Sequence, residues 1–94
     1  MINFSISYKH MTNFKEKVLN IVKTIPRGKT ITYKEVAKCA ESPLAYRAVG
    51  RILSKNFDVK IPCHRVIKSD GSLGNYNRGI KNKIKLLRKE GAIK

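Results

Sequence analysis

Two short helical segments joined by very little chain set the strongest limit on the fold. Thr32-Tyr33-Lys34-Glu35 has the spacing of a capping box, and Ile31 can staple against Val36, which predicts a helix over about 33–40. Ser42-Pro43 then offers an N-cap followed by proline at the first helical position, so a third helix is expected a short turn later. Helices this close in sequence point to a helix-turn-helix. Ahead of them, Phe14, Val18, Ile21, Val22 and Ile25 recur at helical spacing behind Asn13 and Glu16, a second capping pair, and Pro26-Arg27-Gly28 ends that first helix.

The third helix presents two faces. Leu44, Ala48, Val49, Ile52 and Leu53 form the stripe expected to pack inward, while Arg47, Arg51 and Lys55 repeat every four residues on the other side. After Ile61 the pattern turns extended: Arg65-Val66-Ile67, a turn at Lys68-Ser69-Asp70-Gly71, then Ser72-Leu73-Gly74, which predicts a hairpin or wing. A last helix from about Ile80 to Glu90 carries Ile80, Ile84 and Leu87 on one stripe and stops at Gly91. The predicted fold class is α+β, mostly helical: a small winged helix-turn-helix domain over 14–94 with a short β-hairpin wing, behind a polar leader over 1–13. A chain of 94 residues builds one core.

Charge narrows the partners. With 21 Lys and Arg against 6 Asp and Glu, the net charge is +15, so a polyanion is the expected partner and affinity should fall as salt rises. Composition alone leaves DNA, RNA, an anionic membrane and a small ribosomal or nucleoid role open. Arg47, Arg51 and Lys55 on a helix-turn-helix favour DNA. No apolar run is long enough to span a bilayer, no secretory signal opens the chain, and two cysteines read as free thiols in a reducing, cytoplasmic compartment. Cys39 reads as a packed apolar residue. Cys39, Cys63, His10 and His64 lack zinc-ligand spacing and no Gly-rich phosphate loop is present, so neither metal nor cofactor is expected.

Chemistry concentrates in Ile61-Pro62-Cys63-His64-Arg65-Val66. A cysteine beside histidine and arginine in a strongly basic protein should have its thiolate stabilised, and the thiolate is the reactive form, although a cysteine between apolar neighbours also reads as structural.

Pro62-Cys63-His64-Arg65-Val66 resembles the active-site signature of the O6-alkylguanine-DNA alkyltransferases, the methylated-DNA–protein-cysteine methyltransferases. Further matches follow in order: Ile31-Thr32-Tyr33 entering the helix-turn-helix, Arg47-Ala48-Val49-Gly50 on the recognition helix, Asn56 before the cysteine, Gly74-Asn75-Tyr76 in the substrate loop, and Glu90-Gly91 near the end. The resemblance is to the family's C-terminal active-site domain and covers about residues 14–92.

It implies irreversible single-turnover transfer of an alkyl group from O6-alkylguanine in double-stranded DNA to Cys63, with no cofactor; a monomer, cytoplasmic and associated through DNA with the nucleoid or nucleus, is the default expectation. His64 would deprotonate Cys63 through a bridging water, Glu90 would hold the imidazole tautomer, and Asn56 would anchor the backbone around the cysteine. The target base must leave the stack. Arg47 would fill the vacated space, and Tyr33 would press on the adjoining phosphate and donate a proton to the leaving guanine. Backbone groups of Cys63 and Val66 would read the guanine edge, Tyr76 would wall the pocket, the Asn77 amide would meet O6, and Arg65 belongs to the substrate-binding set. Ala48 and Gly50 would allow close approach to DNA, with Arg51 and Lys55 on its phosphates.

The chain also departs from the family pattern. A separate N-terminal domain usually precedes this one, the segment Phe57-Asp58-Val59-Lys60 is shorter than common versions, and Arg78 stands where a small residue is usual, which favours methyl over bulky groups. A second reading resembles the short alkyltransferase-like proteins, which flip and flag the lesion with another residue at the cysteine position. A third is a plain winged-helix DNA binder.

Overall fold

A computed structural model describes residues 13–74 and 76–94. Residues 1–12 of the expected leader, with His10, and Asn75 of the substrate loop lie outside the described residues. The elements run α1 (Phe14–Lys23), β1 (Ile31–Thr32), α2 (Tyr33–Cys39), α3 (Tyr46–Ser54), a single 3-10 turn (Cys63–Arg65), β2 (Val66–Ile67) and α4 (Ile80–Lys89). The fold is small and mostly helical with one two-stranded sheet, as the fold class expects.

Local chemistry accounts for the helix starts. The Asn13 side chain accepts from the Glu16 N–H at 2.8 Å, and Asn13 Nδ2 donates to the Glu16 carboxylate at 2.8 Å. At α2 the reciprocal box is complete: Thr32 Oγ1 accepts from Glu35 N at 3.0 Å, and Thr32 N donates to Glu35 Oε1 at 3.3 Å. Ile31 and Val36 are both buried beneath it. Val18, Ile21, Val22 and Ile25 supply the α1 side of the core, with Val36, Ala37 and Ala40 from α2 and Val49 and Leu53 from α3. Each large apolar side chain so buried contributes about 1.5–3 kcal/mol.

The structure corrects several expectations. Helix α3 does not start at Pro43. Ser42 O accepts from Ala45 N at 2.9 Å and closes a turn, and the helix begins at Tyr46 behind Ala45, which makes no side-chain cap. Leu44 therefore sits in that turn and is 89% exposed instead of packed inward. Helix α2 stops sharply because Glu41 takes a positive φ of 63°, the conformation glycine usually provides at a helix end.

The wing is another correction. The turn forms, with Gly71 N donating to Lys68 O at 3.1 Å and Lys68 N to Ser72 O at 3.0 Å, but β2 pairs with β1. The ladder is parallel, with Ile31 opposite Val66 and Thr32 opposite Ile67. Both Ile31 and Val66 are buried, so β2 gains a core-facing partner that a solvent-exposed return strand would not offer. This two-residue ladder brings the start of α2 beside the cysteine turn.

Helix α4 ends as expected, with Glu90 as C-cap and Gly91 at φ 77°. Its stripe differs from the reading: Leu87 is buried, Ile80 is 44% exposed, and Lys83 has no exposed surface.

The capping box gives a direct stability test. Thr32→Ala should lower unfolding free energy by about 1 kcal/mol in urea titration, because the Glu35 N–H loses its acceptor. A change near zero would show that water replaces the cap without cost.

Candidate active site

The cysteine turn lies between the start of α2 and the end of α4. Cys63 is 8% exposed and lines a groove of about 720 Å³, together with Tyr33, Tyr46, Arg47, Gly50, Arg51 and Tyr76 among others. A nucleophilic atom, three aromatic rings and two arginines thus share one open concavity. Gly74 lets the far wall close: a Cβ there would sit 3.2 Å from the Tyr33 ring, and its φ of 73° already favours glycine.

Around the sulfur, Asn56 Nδ2 donates directly to Cys63 Sγ at 3.1 Å. The sequence reading placed Asn56 on the surrounding backbone, and the structure brings it to the reacting atom itself. Asn77 supports this arrangement, because its Nδ2 donates to the Asn56 carbonyl at 2.5 Å and reaches the carbonyls of Ser54 and Leu53 at 3.3 and 3.4 Å. The side-chain amide of Asn77 is therefore committed to the end of α3.

His64 and Glu90 come together as expected. His64 Nε2 meets Glu90 Oε2 at 2.9 Å, and the Tyr76 ring stands edge-on to the imidazole with centroids 6.3 Å apart. Arg65 does not reach the groove. Its Nε and Nη2 grip the two Glu90 oxygens at 2.9 and 2.8 Å, and Nη1 donates to the Ile25 carbonyl at 2.7 Å. This corrects its placement among the substrate contacts. The two-pronged arginine is the first cause holding the Glu90 carboxyl down to about pKa 2, and the His64 hydrogen bond adds to it.

The expectation of a thiolate stabilised by His64 and Arg65 is also corrected. Both neighbours turn to Glu90, and burial pushes the Cys63 thiol up; the Asn56 hydrogen bond and the charges of Arg78 and Lys83 pull it partway back. The sulfur thus rests as a thiol that needs a base. Burial likewise pushes the Tyr33 phenol up, with Cys63 adding to the effect, so Tyr33 keeps its proton.

Lys83 is the residue that sequence reasoning missed. It is wholly buried, its Nζ donates to the Val66 carbonyl at 2.7 Å, and it stands 5.9 Å over the Tyr33 ring. Burial brings its ammonium down to about pKa 8, while the nearby Cys63 opposes that fall. A lysine on the inner stripe of α4, one residue before Ile84, was the signal available. Val66, whose backbone groups were expected at the guanine edge, is buried, and its carbonyl accepts from this lysine.

Arg47 and Arg51 are exposed on the groove, with Gly50 lining it between them, where a Cβ would meet nothing within 4 Å. Ala48, also expected at the DNA, is half-buried and does not line the groove. Lys55 departs from the stripe: it faces a second hollow with Lys15, Leu19, Arg51, Ile52 and Asn56. Arg78, expected to crowd the pocket, extends instead to the Phe57 carbonyl at 2.7 Å. Cys39 is half-buried against the core, and both cysteines are free. Among the described residues no cluster of His, Cys, Asp and Glu could hold a metal, and no helix is long and apolar enough to cross a membrane.

The model of the 6-O-methylguanine DNA methyltransferase DNA binding domain matches residues 13–92. The chain is 49% identical over 82 residues to a methylated-DNA–protein-cysteine methyltransferase of Methanothermobacter thermautotrophicus, a match covering 85% of this chain and 45% of that protein. The chain spans about half the length of the curated relatives it matches first. Among solved structures, Mycobacterium tuberculosis OGT in complex with DNA superposes with a TM-score of 0.81 at 39% identity, covering 88% of this chain and 52% of that one. An S. pombe protein in complex with damaged DNA containing O6-carboxymethylguanine superposes at 0.74 and 33% identity, covering 87% of this chain and 79% of that one.

The balance of burial against charge at the sulfur is testable in a Cys39→Ser background. Lys83→Met and Asn56→Ala should each move the pH profile of Cys63 alkylation by iodoacetamide to higher pH, since each removes a group that favours the thiolate. A profile unmoved in both folded variants would contradict this arrangement.

Proposed function

The chain belongs to the 6-O-methylguanine DNA methyltransferase family, and we propose that it repairs DNA by moving an alkyl group, methyl first of all, from guanine O6 to Cys63. The observation that carries this reading is the sulfur on the wall of an open groove, beside a His64–Glu90 pair and beneath exposed arginines. The matched segment is read as the part of the family that holds the reactive cysteine, organised as one domain over 14–94.

The resting thiol requires a base. Glu90, ionised across the working range, accepts from His64 Nε2 and so leaves Nδ1 to take the Cys63 proton through a water. The sulfur then attacks the alkyl carbon, the S–C bond forms as the C–O6 bond breaks, and guanine leaves with the electron pair. Tyr33, which keeps its phenolic proton, supplies it to the departing base. The thioether has no path back to thiol, so each molecule acts once.

Reaching O6 requires the base to leave the stack, which costs a few kcal/mol and least for a poorly paired lesion. Arg47, exposed on the groove rim at the second residue of α3, occupies the gap; Arg51 meets phosphate, with Gly50 and Ala48 allowing the helix to come close. Tyr76 walls the site, and the backbone N–H of Asn77 meets O6. The protein acts as a monomer on double-stranded DNA, in the compartment where that DNA lies.

The likeness to the S. pombe protein bound to damaged DNA supports a second reading, lesion binding without transfer. The direct sulfur contact from Asn56 favours transfer, because a binding module has no use for an oriented thiol.

Incubation with excess O6-methylguanine duplex separates the two. Methyl loss from DNA should stop at one equivalent per protein and be absent in Cys63→Ala. Tight binding with no methyl loss would leave only lesion recognition. Arg47→Ala should slow repair of duplex roughly 10- to 100-fold while leaving reaction with free O6-methylguanine nearly unchanged, as only the duplex demands extrusion. Equal slowing on both substrates would remove Arg47 from that role.

A further inference from the structure

Three separated parts of the chain meet around the Arg65–Glu90 pair. Glu90 caps the C-terminus of α4, His64 and Arg65 lie in the 3-10 turn, and Ile25 follows the end of α1. Both Glu90 oxygens are gripped by the Arg65 fork, and Oε2 is shared between Arg65 Nη2 and His64 Nε2. The third arginine nitrogen, Nη1, is anchored on the Ile25 carbonyl at 2.7 Å. The chain leaving α1 packs here too: a Cβ on Gly28, at φ 86°, would lie 3.2 Å from the Glu90 carbonyl.

We propose that Arg65 is a positioning residue that fixes the tautomer of His64, by locking the Glu90 carboxylate against Nε2 and tying that lock to the end of α1. A guanidinium fork is planar and holds a carboxylate in one orientation, whereas a lone glutamate at a helix end samples several rotamers. An ionised carboxylate only accepts, so the nitrogen facing it carries the proton and the other presents its lone pair. Arg65 thereby determines which imidazole nitrogen is available to the sulfur. The groups facing His64 are Glu90 from α4, Arg65 and Cys63 from its own turn, and Tyr76 from the following loop. The catalytic consequence rests on the repair reading above; the tautomer itself does not.

The test uses the full chain in a His10→Gln background, which leaves His64 as the single histidine. Nitrogen-15 spectra at neutral pH should show wild-type Nε2 protonated and Nδ1 unprotonated. Arg65→Gln should give a tautomer mixture and slow methyl transfer about 100-fold, the effect of a misplaced catalytic group. Arg65→Lys, which keeps the charge and loses the fork, should show the same mixture with a smaller loss of rate, and it serves if the glutamine variant fails to fold.

Stability should report the same contact. Glu90's depressed pKa contributes stability that is complete above its ordinary value of 4.5 and lost as pH falls toward about 2. In Arg65→Gln that loss should occur at higher pH. A single wild-type tautomer in both folded variants, with transfer rates within twofold of wild type, would overturn the proposal. If wild type transfers no methyl yet the variants still scramble the tautomer, the positioning role stands and the repair reading falls.

Discussion

The short contact between Asn56 and the Cys63 sulfur is the constraint on which the site depends. A thiol on the wall of a groove would ordinarily rotate among rotamers, but a donor at 3.1 Å, just past the end of α3, holds it in one orientation. Asn56 is itself held, through its carbonyl, by Asn77 from the loop before α4. The recognition helix, the cysteine turn and the substrate loop are therefore joined through hydrogen bonds, and a displacement of one reaches the reacting atom. The same burial that makes these bonds worth most in stability also disfavours the thiolate. Orientation and reactivity pull in opposite directions at this sulfur, and the His64–Glu90 pair resolves the conflict by supplying a base.

Very little secondary structure is needed to bring the parts together. One two-residue parallel ladder sets Ile31 beside Val66 and Thr32 beside Ile67, so that Tyr33 enters α2 next to the turn holding Cys63. Lys83 crosses beneath from α4, fixing the Val66 carbonyl and standing over the Tyr33 ring. A buried cation there favours both a developing thiolate and a main-chain carbonyl held in a single direction. A neutral side chain of equal size would keep the packing and lose both effects.

Much of this was legible in the residues, and the failures share a cause. The N-caps at Asn13 and Thr32 involve partners three residues apart, so spacing alone reveals them. The Ser42-Pro43 signal was equally local yet misleading, because Ser42 closes a turn onto Ala45 and delays the helix. The hairpin was misread because β2 finds its partner far back in the chain, where a parallel strand with a buried face outcompetes a return strand. Arg65 looked like a ligand contact because its carboxylate partner lies 25 residues away. Lys83 stayed hidden because it donates to a backbone carbonyl, that of Val66, which leaves no trace in side-chain pattern. The family signature located the cysteine, histidine, asparagine and glutamate that the structure then assembled, while the electrostatics of the sulfur needed coordinates.

The account stands or falls on Cys63 being the atom that accepts the alkyl group while Cys39, packed against the core, does not. Peptide masses after reaction with an O6-methylguanine duplex measure this directly. The account predicts that the peptide bearing Cys63 gains the mass of a single methylene, the net change when methyl replaces hydrogen on sulfur, with the Cys39 peptide unchanged. Methyl found on Cys39, or on neither cysteine although the lesion has disappeared from the DNA, would contradict it.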